Sequence, residues 1–308
     1  MATSTHDANI DERNQAIKIY LNGNIVPRAE ATVSVYDSGF MLGDGVWEGL
    51  RLHDGVVCFL EEHLERLYAG ALMLNLDIGM ELEALAKDVY RTLEANNMHD
   101  DVHLRLMVTR GIKRRPFQHP GLSDSGPTIV IIAEHSRVDE AIYQQGIRMH
   151  TVPNHRGAPL TQDAKLNSHS KLNCILALNQ AIQAGADEAL MLDPLGFVNT
   201  TNSTNFFIVR RGEVWTSTGD YCMNGVTRQK VIDLCRENDI PVHERNYSLV
   251  DTYSADEAFV TGTFGAQTPV SEIDGRALKQ VAGPMFMKIR ELYSGLIKQH
   301  CDEVIAGR

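Results

Sequence analysis

Short apolar stretches bounded by turn residues predict most of the β-strands in this chain. The first, IKIYLNGNIVPRAEATVSV, has alternating apolar residues on both sides of Asn22 and Gly23, a pair that strongly favours a hairpin turn. The runs VHLRLMVTRG and TIVIIAEH are further predicted strands. In EEHLERLYAGALMLNL and MELEALAKDVYRTLEANN, apolar residues instead recur every three or four positions, which predicts two amphipathic helices. Residues 1–136 are therefore expected to form a small α+β domain.

The second half of the chain also mixes strands and helices. A polar stretch over residues 137–145 is the predicted linker, and residues 146–308 form the larger predicted domain. The pattern places helices near residues 170–184, from near Thr227, and over GPMFMKIRELYSGLIKQH, with strands in EALMLD, NFFIVRRG, EVWTST and EAFVTGT. The predicted fold class is a mixed α/β architecture of two domains with a cleft between them, a common arrangement for enzymes that act on small molecules.

Composition narrows the classes of function. The chain has 308 residues, of which 43% are hydrophobic and 22% charged, as in soluble globular proteins. Its formal net charge of −11 makes nucleic acid and anionic membranes unfavourable partners. Five cysteines without CxxC spacing indicate reduced thiols rather than disulfides or a metal site. The polar start, MATSTHDANIDERNQ, lacks the apolar core of a secretion signal, and no apolar run has membrane-spanning length, so a cytoplasmic protein is expected.

Three features predict an anion-binding site. Val226 and Thr227 follow Gly225 where a helix is predicted to begin, and free N–H groups with the helix dipole attract phosphate at such a start. The run VTGTFGAQTPV places Thr263 directly after an apolar strand, with hydroxyls and glycine-permitted N–H groups nearby. Arg66, in EEHLERLYAG, is a candidate for the bidentate charge that phosphate prefers.

Five motifs occur in the order and at roughly the spacing of those in class IV aminotransferases, and the chain resembles this fold-type IV family of pyridoxal phosphate enzymes. They are GDGVWEGLR (43–51), HLERLYA (63–69), LDPLGFVNTTNSTNFF (192–207), NGVTRQKVIDL (224–234) and DEAFVTGTFGAQTPV (256–270). The resemblance implies pyridoxal 5′-phosphate as the cofactor, bound in the cleft between two domains. By resemblance, the residues that hold the cofactor phosphate are Arg66, Val226, Thr227 and Thr263.

One position departs from the family pattern at the cofactor ring. The family has a glutamate that pairs with the pyridine nitrogen, followed in fixed register by an asparagine. The matching residues here are Thr200 and Asn205. A hydroxyl can hydrogen-bond to the nitrogen but does not stabilise a pyridinium as a carboxylate does, so Thr200 is expected to make the cofactor a weaker electron sink.

The segment DAKLNSHSKLNC contains a second departure. In the ungapped register, the family's Schiff-base lysine falls on Asn167, which cannot form that bond. Lys171, at the position of the family's tyrosine, is the first candidate to replace it. A serine cap would place Lys171 in the first turn of a helix, one turn beyond Asn167, where the dipole lowers the pKa of an amine. Lys165 is the alternative if residues are inserted before the helix, and a third possibility is that neither lysine acts.

The resemblance also assigns residues to the substrate. Trp47, Arg105 and Arg110 belong to segments that border the substrate pocket in relatives. The two arginines are an odd number of positions apart on one predicted strand, so their side chains point to opposite faces and only one is expected to face the cleft. In branched-chain enzymes, the substrate carboxylate binds to N–H groups of a turn that matches Phe264, Gly265 and Ala266.

These features predict a homodimeric, pyridoxal-phosphate-dependent aminotransferase that acts on an amino acid, or an amine, and a 2-oxo acid. Among the motifs, GVWEGLR most resembles the branched-chain enzymes. One alternative is a lyase of the aminodeoxychorismate lyase type, which needs no acceptor oxo acid. Another is a binding protein on an aminotransferase scaffold that has lost catalysis, an alternative suggested by Asn167 together with Thr200.

Overall fold

A computed structural model describes residues 10–307 of the chain. The expectation that the chain starts without a secretion signal concerns residues that lie mostly outside this range. Within the range, no helix is both long and apolar enough to cross a membrane. No group of His, Cys, Asp and Glu side chains there is arranged to hold a metal ion.

The contacts between residues divide the described chain into two compact units. The N-terminal unit comprises residues 10–137, Leu166–Lys171 and residues 299–307, and the C-terminal unit comprises Val138–Lys165 and Leu172–Lys298. The division after Arg137 falls at the predicted linker. The segment Leu166–Lys171, which the sequence places within the larger domain, instead packs with the N-terminal unit.

One antiparallel sheet forms the base of the N-terminal unit. Its strands are β1 (Lys18–Leu21), β2 (Asn24–Pro27), β3 (Gly45–His53), β4 (Val56–Val57), β5 (Val102–Thr109) and β6 (Thr128–His135), in the order β2-β1-β6-β5-β3-β4. The predicted hairpin is confirmed, since Asn22 and Gly23 have φ values of 47° and 86° and connect paired strands. The prediction omits β3, which is buried along most of its length and therefore lacks a simple alternation of apolar and polar residues.

The helices of this unit are α1 (Ser38–Leu42), α2 (Leu60–Met73) and α3 (Leu82–Ala95). The last two confirm the predicted amphipathic helices. Leu64 and Leu67 of α2 and Leu85 and Val89 of α3 are almost completely buried in one apolar cluster with the strands. Burial of each such side chain contributes about 1.5–3 kcal/mol, so this contact between helices and sheet holds the unit together.

The segment Leu166–Lys171 is irregular and is held against the start of β3. The N–H of Trp47 donates to the carbonyl of Asn167 at 3.0 Å, and the N–H of His169 donates to the carbonyl of Gly45 at 2.9 Å. The side-chain Nδ2 of Asn167 also donates to the carbonyl of Trp47, at 2.6 Å. These bonds explain why the segment packs with residues more than a hundred positions earlier in the chain.

A second sheet forms the C-terminal unit. Its strands are β7 (Ile147–Val152), β8 (Glu188–Leu192), β9 (Val198–Thr201), β10 (Asn205–Arg210), β11 (Glu213–Thr216), β12 (Val242–Glu244), β13 (Glu257–Gly262), β14 (Ala266–Ile273) and β15 (Arg276–Ala277). They lie in the order β12-β11-β10-β13-β14-β7-β8-β9, with β15 on β14. Because β9 also pairs with β10, through Thr200 and Asn205, part of the sheet closes on itself at those residues.

The helices that begin in this unit are α4 (Ile142–Gln145), α5 (Leu172–Gln183), α6 (Val226–Glu237), α7 (Leu249–Tyr253) and α8 (Pro284–Ala306). The three predicted helices, α5, α6 and α8, are confirmed. Helix α8 begins at a buried carboxylate on β13, because Glu257 accepts the N–H groups of Met285 and Phe286 at 3.1 and 2.8 Å. A negative group at a helix start interacts favourably with the positive end of the helix dipole, so this contact fixes α8 on the sheet.

Candidate active site

Helix α6 begins without a side-chain cap. Its N-cap residue is Gly225, and no side chain accepts a hydrogen bond from the first N–H groups. The side chain of Thr227 is nearly buried, and its hydroxyl has no hydrogen-bond partner in the described part of the chain. The start of this helix of 12 residues therefore combines unused N–H groups, a hydroxyl and the positive end of the dipole, which together favour phosphate.

A row of polar side chains crosses the closed sheet next to this helix start. Thr200 on β9 pairs with Asn205 on β10, and Asn205 pairs in turn with Thr261 on β13. Thr261 then pairs with Gln267 on β14. Directly paired residues point to the same face of a sheet, so these four side chains form one line. The row lies directly against the start of α6. Asn205 Oδ1 is so close to Gly225, the N-cap residue, that a Cβ added there would lie only 2.4 Å from it.

Two members of the row have buried polar atoms without a partner among residues 10–307. Neither amide atom of Gln267, which is 1% exposed, forms a hydrogen bond, and the same holds for Oγ1 of Thr261, at 2%. An unsatisfied buried group costs about 1–3 kcal/mol, so each needs an explanation. Thr200 differs, because its hydroxyl donates to the carbonyl of Thr204 at 2.8 Å and offers only lone pairs to a ligand.

The predicted phosphate and substrate turn connects β13 to β14. Thr263, Phe264 and Gly265 lie between the paired residues Gly262 and Ala266. Ala266 has a φ of 51°, in the left-handed region that disfavours residues with a Cβ. The hydroxyl of Thr263 has no partner in the described range. The turn therefore presents a hydroxyl and a strained backbone at the end of β13.

Lys165 lies in the same unit as these groups and near the buried Cys222. The thiol of Cys222 lies 3.7 Å from Asn205 Nδ2, next to the polar row. Burial raises the pKa of this thiol, and Lys165 is one of the nearby groups whose charge opposes the rise. Lys165 itself is exposed and forms no ion pair with a carboxylate among residues 10–307.

In the N-terminal unit, two cations lie over the ring of Trp47. The guanidinium carbon of Arg105 is 4.1 Å from a ring centroid, and Nζ of Lys171 is 5.4 Å away. The indole N–H donates to the carbonyl of Ser168 at 3.1 Å, which fixes the ring. Partial burial lowers the pKa of Arg105, and within the described chain no carboxylate pairs with it. Such a guanidinium is suited to a carboxylate ligand.

The predicted position of Lys171 in a helical turn is wrong, because α5 begins one residue later, at Leu172. Lys171 therefore flanks the helix start instead of lying within its first turn. The predicted proximity to Asn167 is nevertheless confirmed, since Nζ of Lys171 donates to Asn167 Oδ1 at 3.0 Å. The contact arises from the irregular course of the segment rather than from helical spacing.

Arg110 does not share a strand with Arg105, because β5 ends at Thr109. Its Nε and Nη2 donate to both carboxylate oxygens of Asp44, at 2.7 and 2.9 Å. Further bonds from the same guanidinium reach the carbonyls of Leu74 and Asn75. These contacts occupy Arg110 in joining loops of the N-terminal unit.

Arg66, the predicted phosphate ligand, is held by a fully buried carboxylate. Glu48 accepts from Arg66 Nε at 2.8 Å and from Nη2 at 2.7 Å, and its Oε2 lies 2.7 Å from Nδ1 of His63. Burial by itself raises the pKa of Glu48, but the charges and hydrogen bonds of Arg66 and His63 outweigh it and hold that pKa below its ordinary value. Glu48 is therefore ionised at neutral pH and fixes one edge of the Arg66 guanidinium.

Sequence reasoning named Thr261 among the hydroxyls of the anion site, but it assigned no role to Glu48, Gln267 or Cys222. A signal existed for Glu48, which interrupts the apolar run in GVWEGLRL, because a polar residue in a buried strand needs a partner. The sequence carried no such signal for Cys222. Its position beside Asn205 depends on how the chain returns from β11 to α6.

Comparison with known proteins identifies a family. The model described as amino-transferase class IV matches residues 45–273. The branched-chain-amino-acid aminotransferase-like protein 2 of Arabidopsis thaliana is 38% identical over 286 residues, which cover 92% of this chain and 51% of that protein. The chain thus spans about half the length of this relative. The putative branched-chain-amino-acid aminotransferase of Methanocaldococcus jannaschii is 40% identical over 283 residues, covering 91% of this chain and 96% of that protein.

Solved structures agree with these relatives. The branched-chain aminotransferase of Thermoproteus uzoniensis with norvaline superposes with a TM-score of 0.82 at 32% identity, covering 92% of this chain and 95% of that one. The T.th. branched-chain amino acid aminotransferase with pyridoxamine 5′-phosphate gives a TM-score of 0.86 at 28% identity, with the same coverage. The predicted mixed α/β fold of fold-type IV is therefore confirmed.

Proposed function

The chain belongs to the amino-transferase class IV family, and from this premise we propose that it is a pyridoxal-phosphate-dependent aminotransferase. It moves an amino group between an amino acid, or an amine, and a 2-oxo acid. The observation that carries the proposal is the uncapped start of α6, where Thr227 keeps a hydroxyl without a partner in the described chain. An anion completes this arrangement, and the solved relative with pyridoxamine 5′-phosphate gives that anion a chemical identity.

The residues fit the phosphate of the cofactor. The N–H groups of Val226 and Thr227 begin α6, and the hydroxyl of Thr263 supplies a further donor. Arg66 contributes the charge, as the family resemblance implies. N–H groups at a helix start, a hydroxyl and a guanidinium are the donors that bind phosphate in other proteins.

The residues also fit the pyridine ring, although the contact with the ring nitrogen is weaker than the one that the family's glutamate makes. When bound, the cofactor withdraws electrons from the substrate and lets a proton leave its α-carbon. Thr200, with Asn205 beside it, takes the place that a glutamate has in the family. Because the Thr200 hydroxyl already donates to Thr204, it accepts a bond from a protonated nitrogen without neutralising its charge. Electron withdrawal is therefore weaker here than with a carboxylate.

We propose Lys165 as the lysine that would bond to the cofactor and that, once the substrate amine has displaced it, would take the proton from the substrate α-carbon on its freed Nζ. A nucleophilic amine must be accessible and deprotonated, and Lys165 is exposed in the unit that contains Thr200. Lys171 is in a setting that stabilises an ammonium, between the amide oxygen of Asn167 and the face of Trp47. The ungapped register still predicts Lys171, so both lysines enter the experiment below.

On the substrate side, we assign Trp47 to an apolar wall and Arg105 to the second carboxylate of a dicarboxylic acceptor such as 2-oxoglutarate. Arg105 is preferred to Arg110 because Asp44 occupies the guanidinium of Arg110. The N–H groups of the turn over residues 264–266 (Phe264, Gly265 and Ala266) bind the α-carboxylate. Branched-chain amino acids are the proposed substrates, because the relatives compared above carry that name and an indole wall suits an aliphatic side chain.

We propose that the enzyme is a cytoplasmic homodimer. The N-terminal unit exposes large apolar side chains on two connected segments, since the N–H of Lys113 donates to the carbonyl of Tyr36. The most exposed of them are Val35, Phe40 and Phe117. A second copy of the chain would bury this surface. Light scattering should give twice the chain mass for the wild type and a smaller mass for Phe40→Asp.

The cytoplasmic location is proposed because the five cysteines are free thiols, which suit a reducing compartment.

The central test is an absorption spectrum of the protein with pyridoxal phosphate, before and after borohydride, followed by peptide mapping. A yellow protein that is labelled irreversibly at Lys165 is the expected result. A label at Lys171 moves the covalent role to that residue. A protein that stays colourless and takes up no cofactor overturns the proposed function.

A second assay separates the aminotransferase from the lyase alternative. An aminotransferase needs an acceptor, so turnover of the amino acid should require added 2-oxoglutarate. A lyase would release pyruvate without any acceptor oxo acid. Continued turnover without 2-oxoglutarate would favour the lyase.

A further inference from the structure

The contacts of Glu48 and His63 with Arg66 carry an inference that rests on the proposed function. Both side chains are almost completely buried, whereas that of Arg66 is 18% exposed. A buried carboxylate between an arginine and a histidine is costly to desolvate, and the sheet and α2 would pack more easily around an apolar residue here. The arrangement therefore calls for an explanation beyond the stability of the core.

We infer that Glu48 and His63 are positioning residues that fix Arg66 for the cofactor phosphate. Glu48 binds Nε and Nη2 together, which locks the plane of the guanidinium and its rotation about the last side-chain bonds. His63, three residues before Arg66 and therefore on the same face of α2, holds Glu48 Oε2 from the other side. The three side chains form one rigid unit.

The charges support a positioning role rather than direct binding. Glu48 is ionised, and a carboxylate repels a phosphate, so it is not itself a ligand. Its effect on phosphate acts through Arg66, a long side chain that would otherwise lose several rotatable bonds of freedom on binding. Fixing the guanidinium in advance removes this entropic cost, which is the general benefit of preorganisation.

The test compares two probes, pyridoxal 5′-phosphate and pyridoxal, which differ only in the phosphate. Dissociation constants are measured for the intact wild type and for Glu48→Gln by the absorption change on binding. We expect Glu48→Gln to raise the dissociation constant of pyridoxal phosphate about tenfold to one hundredfold, the range seen when partners of metal ligands are removed. The dissociation constant of pyridoxal should change by no more than about twofold. Glu48→Asp, which keeps the charge, should recover part of the affinity.

The matched control is Asp187→Asn, which disrupts another buried carboxylate that bonds to an arginine, Arg148. It should leave the ratio of the two affinities unchanged. If Glu48→Gln does not fold, His63→Asn replaces it. This variant should lose several-fold in affinity for pyridoxal phosphate and keep its affinity for pyridoxal.

The outcomes separate this inference from the proposed function. Equal losses for both probes, or no loss for pyridoxal phosphate in a folded variant, mean that Glu48 only stabilises the core and overturn the inference. A wild type that binds pyridoxal phosphate more tightly than pyridoxal but transfers no amino group overturns the proposed function alone. A wild type that binds neither probe overturns both.

Discussion

Around Trp47 in the N-terminal unit, charged side chains are held by specific partners, whereas around Asn205 in the C-terminal unit several buried polar atoms have no partner within the described chain. Glu48 bonds to Arg66 in the first region. In the second region, Thr261 and Gln267 face each other across two strands without a hydrogen bond from either side chain. The contrast concerns these two regions only, since the C-terminal unit pairs a buried carboxylate elsewhere, at Glu257.

The difference separates buried ion pairs, whose partners the fold supplies, from buried polar atoms that have no partner among residues 10–307. Breaking a buried ion pair costs about 3–5 kcal/mol, so the paired groups of the N-terminal unit are difficult to rearrange. Unpaired groups cost about 1–3 kcal/mol each while they remain unpaired, and a bound ligand or ordered water can recover that energy.

The largest expected effect concerns the lysines that belong to the two units. Lys165→Ala should reduce the turnover number by about a thousandfold or more, since it removes both the covalent amine and the proton acceptor. Lys171→Ala should retain most of the turnover, because its amine is bonded to Asn167. The measurement is amino transfer to 2-oxoglutarate in steady state. Loss of turnover in Lys171→Ala with activity kept in Lys165→Ala would reverse the assignment.

The next effect tests which arginine is free for the substrate. Arg105→Ala should raise KM for 2-oxoglutarate about tenfold to one hundredfold, as expected for loss of a charge-assisted contact, and should change the free energy of unfolding little. Arg110→Ala is the matched variant. It should lower the free energy of unfolding by about 2 kcal/mol, because Asp44 loses its partner, and should leave KM unchanged. If both variants change only stability, neither arginine contacts the substrate.

A smaller effect tests the unpaired amide of Gln267. Gln267→Leu removes two unsatisfied polar atoms from a buried site and should leave the free energy of unfolding unchanged or raise it by about 1–2 kcal/mol. Gln180→Leu is the control. The Oε1 of Gln180 is also buried without a partner among residues 10–307, but its Nε2 donates to Asn154, so loss of that bond should destabilise the variant slightly. Urea unfolding measures both. A clear loss of stability in Gln267→Leu would mean that an ordered water satisfies the amide in the native protein.

The smallest effect concerns pH in the N-terminal unit. Burial lowers the pKa of His169 from its ordinary 6.5, and the charges of Arg105 and Lys171 add to this. The unfolded chain therefore binds the proton more readily, so stability present above the ordinary pKa is lost as pH falls below it. His169→Gln should flatten this pH dependence, measured as urea midpoints at about pH 7.5 and pH 5.5. His53 and His135 shift in the same direction and should leave a remaining slope.

Local patterns predicted the elements whose stability is local. The hairpin at Asn22–Gly23 and the helices α2 and α3 were correct because turn conformation and apolar periodicity act over a few residues. β3 was omitted because a strand that is buried on both faces shows no alternation. The predicted start of α5 was too early, since Lys171 precedes the helix, which begins at Leu172.

The candidate site divides in the same way. Val226, Thr227, Thr263 and Thr200 were recognisable because each belongs to a contiguous motif at the end of a strand or the start of a helix. The contact of Glu48 with Arg66 was not recognisable from the sequence, since it forms only when β3, which carries Glu48, packs against α2, which carries Arg66. No periodicity within either segment reports that packing.

By itself, the sequence determined the family, and it nominated the cofactor and the elements proposed to bind its phosphate, since these depend on motifs and on interactions over short distances along the chain. Tertiary structure decided which polar groups are paired. It placed Asn167 against Trp47, occupied Arg110 with Asp44, and brought Lys165 near Cys222. The physical reason is that electrostatics and hydrogen bonding depend on distances of a few ångströms between residues far apart in the chain, which are fixed only when the sheets and helices pack.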